Sequence, residues 1–91
     1  MVDPFLKLEF GNIVELDIHG KTLEDARAEL LFTLNSIDSD VDAILVIHGF
    51  NKGTILKNWL RTRFKDDRIL KIVRPDAGVT LLVLAKEFKI R

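Results

Sequence analysis

Ninety-one residues, 47% of them apolar and 31% charged, suit one domain with one core and argue against disorder. The absence of cysteine excludes disulfides, thiolate nucleophiles and the usual structural zinc sites, and nothing points to an oxidising compartment. Formal net charge is zero, yet residues 1–45 carry ten acids against three Lys/Arg (net −7) and residues 46–91 four against eleven (net +7), an asymmetry that hints at a basic face for an anionic partner.

From the N-terminus, Met1-Val2-Asp3-Pro4 lacks the basic-then-apolar form of a signal peptide. No apolar run reaches the ~20 residues that span a bilayer. The expectation is a single cytoplasmic domain over 1–91, its core at about 13–86, with no membrane partner. Leu6, Leu8 and Phe10 alternate with Lys7 and Glu9, the period of a half-buried strand, and Gly11-Asn12 then suggests a hairpin into a second strand, Ile13–Ile18. Thr22 stands at a helix N-cap, with Glu24 and Asp25 in the first turn. Leu23, Ala26, Leu30, Leu34 and Ile37 mark one face of a helix over about 23–37.

Ala43–Ile47 is almost wholly apolar, the pattern of a strand buried on both faces. A second helix begins near Thr54, with Leu56, Trp59, Leu60 and Phe64 on its inner side and Lys57, Arg61 and Lys65 as an exposed basic stripe. Strands follow at Ile69–Val73 and Val79–Leu84, separated by the turn signal Pro75-Asp76-Ala77-Gly78. The order βαβαββ predicts an α/β (α+β) two-layer sandwich: a mixed four-stranded sheet, two helices on one face, and the N-terminal run as an extra strand.

Both histidines end a strand, precede a glycine and lead into a helix: Asp17-Ile18-His19-Gly20 and His48-Gly49. Ligands of open α/β sheets bind at the carboxyl ends of strands, so adjacent strands would bring His19 and His48 to one rim. Alternation puts Asp17 and His19 on the same face, away from the helices, where the carboxylate orients or charges the imidazole. One histidine as base and another as acid, with Lys52 and the backbone of the Gly49–Thr54 loop on the phosphate, would form a phosphodiester site. Gly49 and Gly53 would let that backbone approach the ligand. Each histidine also has a plain reading as a hydrogen-bonded structural residue, and that alternative stays open. Trp59 and Phe64 read as core rather than stacking platforms. A zinc site from Asp17, His19 and His48 lacks a fourth ligand. Gly20-Lys21-Thr22 imitates the end of a P-loop, but the preceding glycine that motif requires is replaced by Glu15.

At these residues the chain resembles the Smr (small MutS-related) domain family. The stretch Leu16-Asp17-Ile18-His19-Gly20-Lys21-Thr22-Leu23 resembles the family's Leu-Asp-Leu-His-Gly signature and the helix start that follows it. Ile47-His48-Gly49-Phe50-Asn51-Lys52-Gly53-Thr54 keeps the second signature's His-Gly, with Asn51 where the family has glycine and the next glycine delayed to Gly53. Gly78-Val79-Thr80 echoes the closing Gly-x-Thr. The resemblance implies a βαβαββ sandwich similar to the C-terminal domain of a bacterial translation initiation factor. It also implies nucleic-acid binding, with endonuclease or nicking activity on RNA or DNA in many members. By the same resemblance Asp17, His19 and His48 are the catalytic candidates. Gly49, Asn51, Lys52, Gly53, Thr54, Lys57, Arg61 and Lys65 are the phosphate- or nucleic-acid-binding candidates. The alternative is a non-catalytic nucleic-acid or ribosome-binding module whose basic face runs from Lys52 through Lys57, Arg61 and Lys65 to Arg68, alone or within a larger parent protein. A plain protein-interaction domain has least support. No cofactor is specified, and a divalent metal such as Mg²⁺ is left open.

Overall fold

Two apolar periodicities, two residues in the strands and three-to-four in the helices, are realised over the residues that the computed structural model describes, 4–49 and 54–85. The elements are α1 (Pro4–Phe10), β1 (Ile13–Asp17), α2 (Leu23–Ser36), β2 (Ala43–Ile47), α3 (Thr54–Asn58), β3 (Ile69–Asp76) and β4 (Val79–Leu84). A π-helical turn, Trp59–Arg63, extends α3. The strands form one mixed sheet in the order β1-β2-β4-β3. β1 is parallel to β2, and β4 is antiparallel to both of its neighbours. β3 therefore runs in the same sense as β1 and β2, with β4 inserted between β2 and β3.

Helix α2 starts where the sequence indicates: the Asp25 N–H donates to Thr22 Oγ1 at 3.2 Å, satisfying one of the unpaired donors of the first turn. It ends where Ile37 turns to an extended conformation while its N–H still donates to the Thr33 carbonyl. Ala26, Leu30 and Leu34 are its buried residues. They pack with Leu56, Trp59, Leu60 and Phe64 over Val14, Leu16 and Ile18 of the first strand region, Ile44 and Val46 of β2, and Leu82 and Leu84 of β4. Trp59 and Phe64 lie ring to ring at 5.1 Å inside this layer, as core residues.

The other face of the sheet is also covered. Ala43, Leu45 and Leu81 are buried there, with Ile13, Val73, Val79 and Val83 and with Leu6 and Phe10 of α1 packed against them. Here the expected N-terminal strand and hairpin give way to a seven-residue helix. Leu6 and Phe10 are four apart as well as alternating, so a single helical turn brings both onto the sheet. Pro4 suits the first helical position, where its missing N–H costs nothing. The price of that choice is the exposure of Phe5 and Leu8 on the outer side of α1. The Lys71 ammonium sits over the Phe10 ring, 5.7 Å from its centroid.

Gly11 links α1 to β1 with φ +82°, a conformation that side chains disfavour. A Cβ there would overlap the Asp42 carboxylate, which accepts the Asn12 N–H at 2.9 Å. β3 runs three residues beyond the expected Ile69–Val73, through Pro75 to Asp76. It does so with register irregularities between Ile69 and Lys71 and between Val73 and Asp76. Pro75 has no N–H to give a ladder, and the bulge beside it on an edge strand accommodates that lack. Among the described residues no helix is long and apolar enough to cross a membrane.

Gly11→Ala and Gly20→Ala both force alanine into a left-handed conformation, but a Cβ at Gly20 meets nothing within 4 Å. Gly20→Ala should lose about 1 kcal/mol and Gly11→Ala about 3 kcal/mol in urea denaturation. Equal losses would show that the Gly11–Asp42 approach contributes nothing.

Candidate functional site

The register of β1 on β2 ends at Asp17 opposite Ile47, and the Ile18 N–H donates to the Ile47 carbonyl at 2.9 Å. Both His-Gly turns therefore leave the sheet side by side at its carboxyl rim. In the first, the Lys21 N–H closes a four-residue turn on the Ile18 carbonyl, with Gly20 at φ +77°. A positive φ at the third residue is the type II pattern, and it explains why glycine follows His19. In the second, Gly49 takes φ +80°, and a Cβ on it would lie 3.7 Å from the His19 Cβ. The His48 and Gly49 N–H groups both donate to the Gly78 carbonyl, each at 3.0 Å, so the β3–β4 hairpin holds the second turn.

The shared rim is as expected, but the two imidazoles leave it toward opposite faces. Ile18 lies in the helix-side core, which turns His19 away from the helices together with Asp17. His48, two residues after the helix-facing Val46, points into the helix side instead. The physical reason is the register: Asp17 pairs with Ile47, so His48 is level with Ile18 rather than with His19.

His19 is open to solvent, its side chain 69% exposed and that of Asp17 51%. Its Nδ1 is hydrogen-bonded to Asp17 Oδ1, which also accepts the His19 N–H at 3.0 Å. Those bonds to His19, aided by Lys21, hold the Asp17 carboxyl below its ordinary range against a smaller desolvation effect. Lys21 itself is paired with Glu29 at 2.8 Å. The result is an exposed imidazole steered by a carboxylate, with Nε2 on the solvent side.

His48 is 1% exposed, and both ring nitrogens have partners: Nδ1 lies 2.8 Å from the Gly49 carbonyl and Nε2 2.9 Å from Thr80 Oγ1. Burial pushes its pKa below the ordinary 6.5; the Gly49 carbonyl opposes this, and Arg61 and Lys57 add to it. Arg61 donates from Nε to Thr80 Oγ1 at 2.8 Å and from Nη2 to the carbonyls of Val79 and Asp76.

The expected basic stripe of Lys57, Arg61 and Lys65 does not form. The Phe64 N–H bonds back to the Trp59 carbonyl, five residues earlier, and this wider turn removes the four-residue stacking of an α-helix. Arg61 is swung inward onto β4. Lys65 is exposed beyond the helix, in the connection to the far end of the sheet. Arg68 spends its guanidinium on Asp66 and on Asn35 at that same far end. Lys57 stays half-buried near His48, and Thr54 is exposed at the start of α3. Asn51, Lys52 and Gly53 lie outside the described residues.

Two residues of the rim escaped the sequence reading as site members. Thr80 is fully buried between His48 and Arg61; its signals were its place in the Gly78-Val79-Thr80 echo and being the one hydroxyl in the apolar run Val79–Leu84. Arg74 is exposed on β3 close enough to Arg61 to depress the latter's pKa, after the larger effect of burial. Among the described residues no three His, Asp or Glu side chains gather as a metal-holding group. Asp17 is engaged by His19 and both His48 nitrogens have partners, so these three side chains do not converge as the zinc donor set weighed above.

The family model described as Smr domain matches residues 16–79. No curated protein matches the chain. Among solved structures, the crystal structure of the Smr domain of Thermus thermophilus MutS2 is similar, with a TM-score of 0.62 and 23% identity, covering 79% of this chain and 98% of that one. At that identity the likeness speaks for the fold.

Because His48 is pushed below its unfolded pKa, the stability it contributes is complete above about pH 6.5 and is lost as pH falls through the folded value. Urea denaturation at about pH 7.5 and about pH 5 should therefore show a steeper loss in the wild type than in His48→Asn. His48→Asn should itself be less stable by about 1–3 kcal/mol at the higher pH.

Proposed function

The chain belongs to the Smr domain family, and from that premise we propose that it binds a nucleic-acid strand along the carboxyl rim of the sheet and cleaves a phosphodiester there. The observation that carries the reading is the exposed Asp17–His19 pair. The carboxylate accepts from Nδ1, which leaves Nε2 as the nitrogen that takes a proton from the attacking oxygen, a water or a ribose 2′-hydroxyl. As that oxygen bonds to phosphorus, the bond to the leaving oxygen breaks, and the leaving oxygen takes its proton from solvent. Lys57 and Arg74, near the rim, supply positive charge for the backbone phosphates, consistent with the basic excess of residues 46–91.

The burial of His48 favours a second reading, a binding module that does not cut, because it leaves one exposed imidazole rather than an acid–base pair. One assay separates the two. The purified protein is offered single-stranded RNA and supercoiled plasmid, with Mg²⁺ or with chelator. Cleavage should persist in chelator, vanish in His19→Ala and fall about 10²–10⁴-fold in Asp17→Asn, with binding retained in both. Binding without cleavage by the wild type would establish the second reading, and neither binding nor cleavage would defeat both. Replacing Lys57 or Arg74 by alanine should weaken binding to all sequences and reduce the log–log salt slope by about one each.

A further inference from the structure

The buried polar groups behind the rim form a directed chain. A carbonyl oxygen only accepts, so the contact of His48 Nδ1 with the Gly49 carbonyl requires a proton on Nδ1. In the neutral ring Nε2 is then a bare acceptor, and the Thr80 hydroxyl must donate to it. That hydroxyl has lone pairs left, and the Arg61 Nε–H fills one of them. A guanidinium only donates, so Thr80 Oγ1 accepts from Arg61 and the hydroxyl proton is left for His48 Nε2, in the direction that the Gly49 carbonyl sets at the other end. We infer that Arg61 is a positioning residue: acting through Thr80, it holds His48 as the neutral, Nδ1-protonated tautomer whose single N–H fixes the Gly49 carbonyl, and so sets the turn beside which His19 stands.

Three features point the same way. The π-helical turn is what delivers Arg61 to Thr80, and such turns are frequent at functional sites. The Nη2 group is tied to the carbonyls of Val79 and Asp76, which leaves Nε aimed at Thr80. His48 and Gly49 are pinned from the backbone side by the Gly78 carbonyl, so the ring and the main chain constrain the same peptide. A second proton on His48 would stand against Arg61 of the π turn and Lys57 of α3, with Arg74 of β3 beyond. Asp76 turns its carboxylate to the Ala77 N–H, and Asp17 serves His19 on the opposite face. His48 therefore does not act as the acid partner of His19.

The test has two arms, and only the second rests on the cleavage proposed above. In the first, ring ¹⁵N–¹H correlation spectra of the labelled protein at neutral pH should show His48 with pyrrole-type Nδ1 and pyridine-type Nε2. Thr80→Val should turn this into the Nε2-protonated form or a mixture, Arg61→Met should loosen it, and Thr80→Ser should keep it. In the second arm, Thr80→Val should lower kcat on the cleaved substrate about tenfold with KM little changed, and Thr80→Ser should restore it. The wild-type pH–rate profile should have a single limb. An Nε2-protonated His48 in the wild type, a tautomer indifferent to Thr80→Val, or a second limb that disappears in His48→Gln would overturn the inference. If the wild type cuts nothing, the nuclease reading falls while the spectra still decide the tautomer.

Discussion

Parallel pairing of β1 with β2, in a register that stops at Asp17 opposite Ile47, governs the rim of this molecule. It brings two similar His-Gly turns out of the sheet at the same height. The pleat then separates them, because residues that are not level across a ladder point to opposite sides. One imidazole is delivered to water with a carboxylate at its back, and the other is driven into the layer between sheet and helices. Two turns of like sequence thus present one exposed imidazole and one buried one, and a single residue of register makes the difference.

Both halves of the rim depend on the β3–β4 hairpin. The Gly78 carbonyl takes two backbone donors from the His48-Gly49 turn, and two residues later Thr80 takes the imidazole. Arg61 reaches the same hairpin through two carbonyls and the Thr80 hydroxyl. Four elements therefore meet at one point, and among the described residues no buried side-chain nitrogen or oxygen lacks a partner, as a buried network requires. The network lies directly behind the turn that His19 abuts, so buried groups brace the backbone beside the exposed imidazole.

Much of this was legible in the chain. The strand runs at 13–18, 43–47 and 79–84, the Thr22 cap and the helix after it are local signals, and the structure follows them to within a residue or two. The family signature likewise sits on contiguous residues, 16–23. What escaped was non-local or ambiguous. Leu6, Leu8 and Phe10 satisfy a period of two, yet Leu6 and Phe10 also satisfy a period of four, and the uncovered face of the sheet decided between them. The inward turn of Arg61 depends on a π-helical hydrogen bond that composition does not announce. The facing of His48 depends on register between two strands, which neither strand carries alone. Thr80 was visible as an odd hydroxyl in an apolar strand, but its two partners lie 19 and 32 residues away.

The sheet has two outer edges, β1 and β3. An exposed edge is a template on which another chain can add a strand and begin to aggregate. On β3 that template is broken twice, by the irregularities near Lys71 and near Asp76, and Pro75 withholds a donor in the second of them. On β1 the strand is only five residues long and carries the acids Glu15 and Asp17 on its outward positions. The same Asp17 that steers His19 thus also lends negative charge to a short edge, where a second chain presenting its own acidic strand would be repelled. Self-association by sheet extension is discouraged at both ends by residues that were placed there for other reasons.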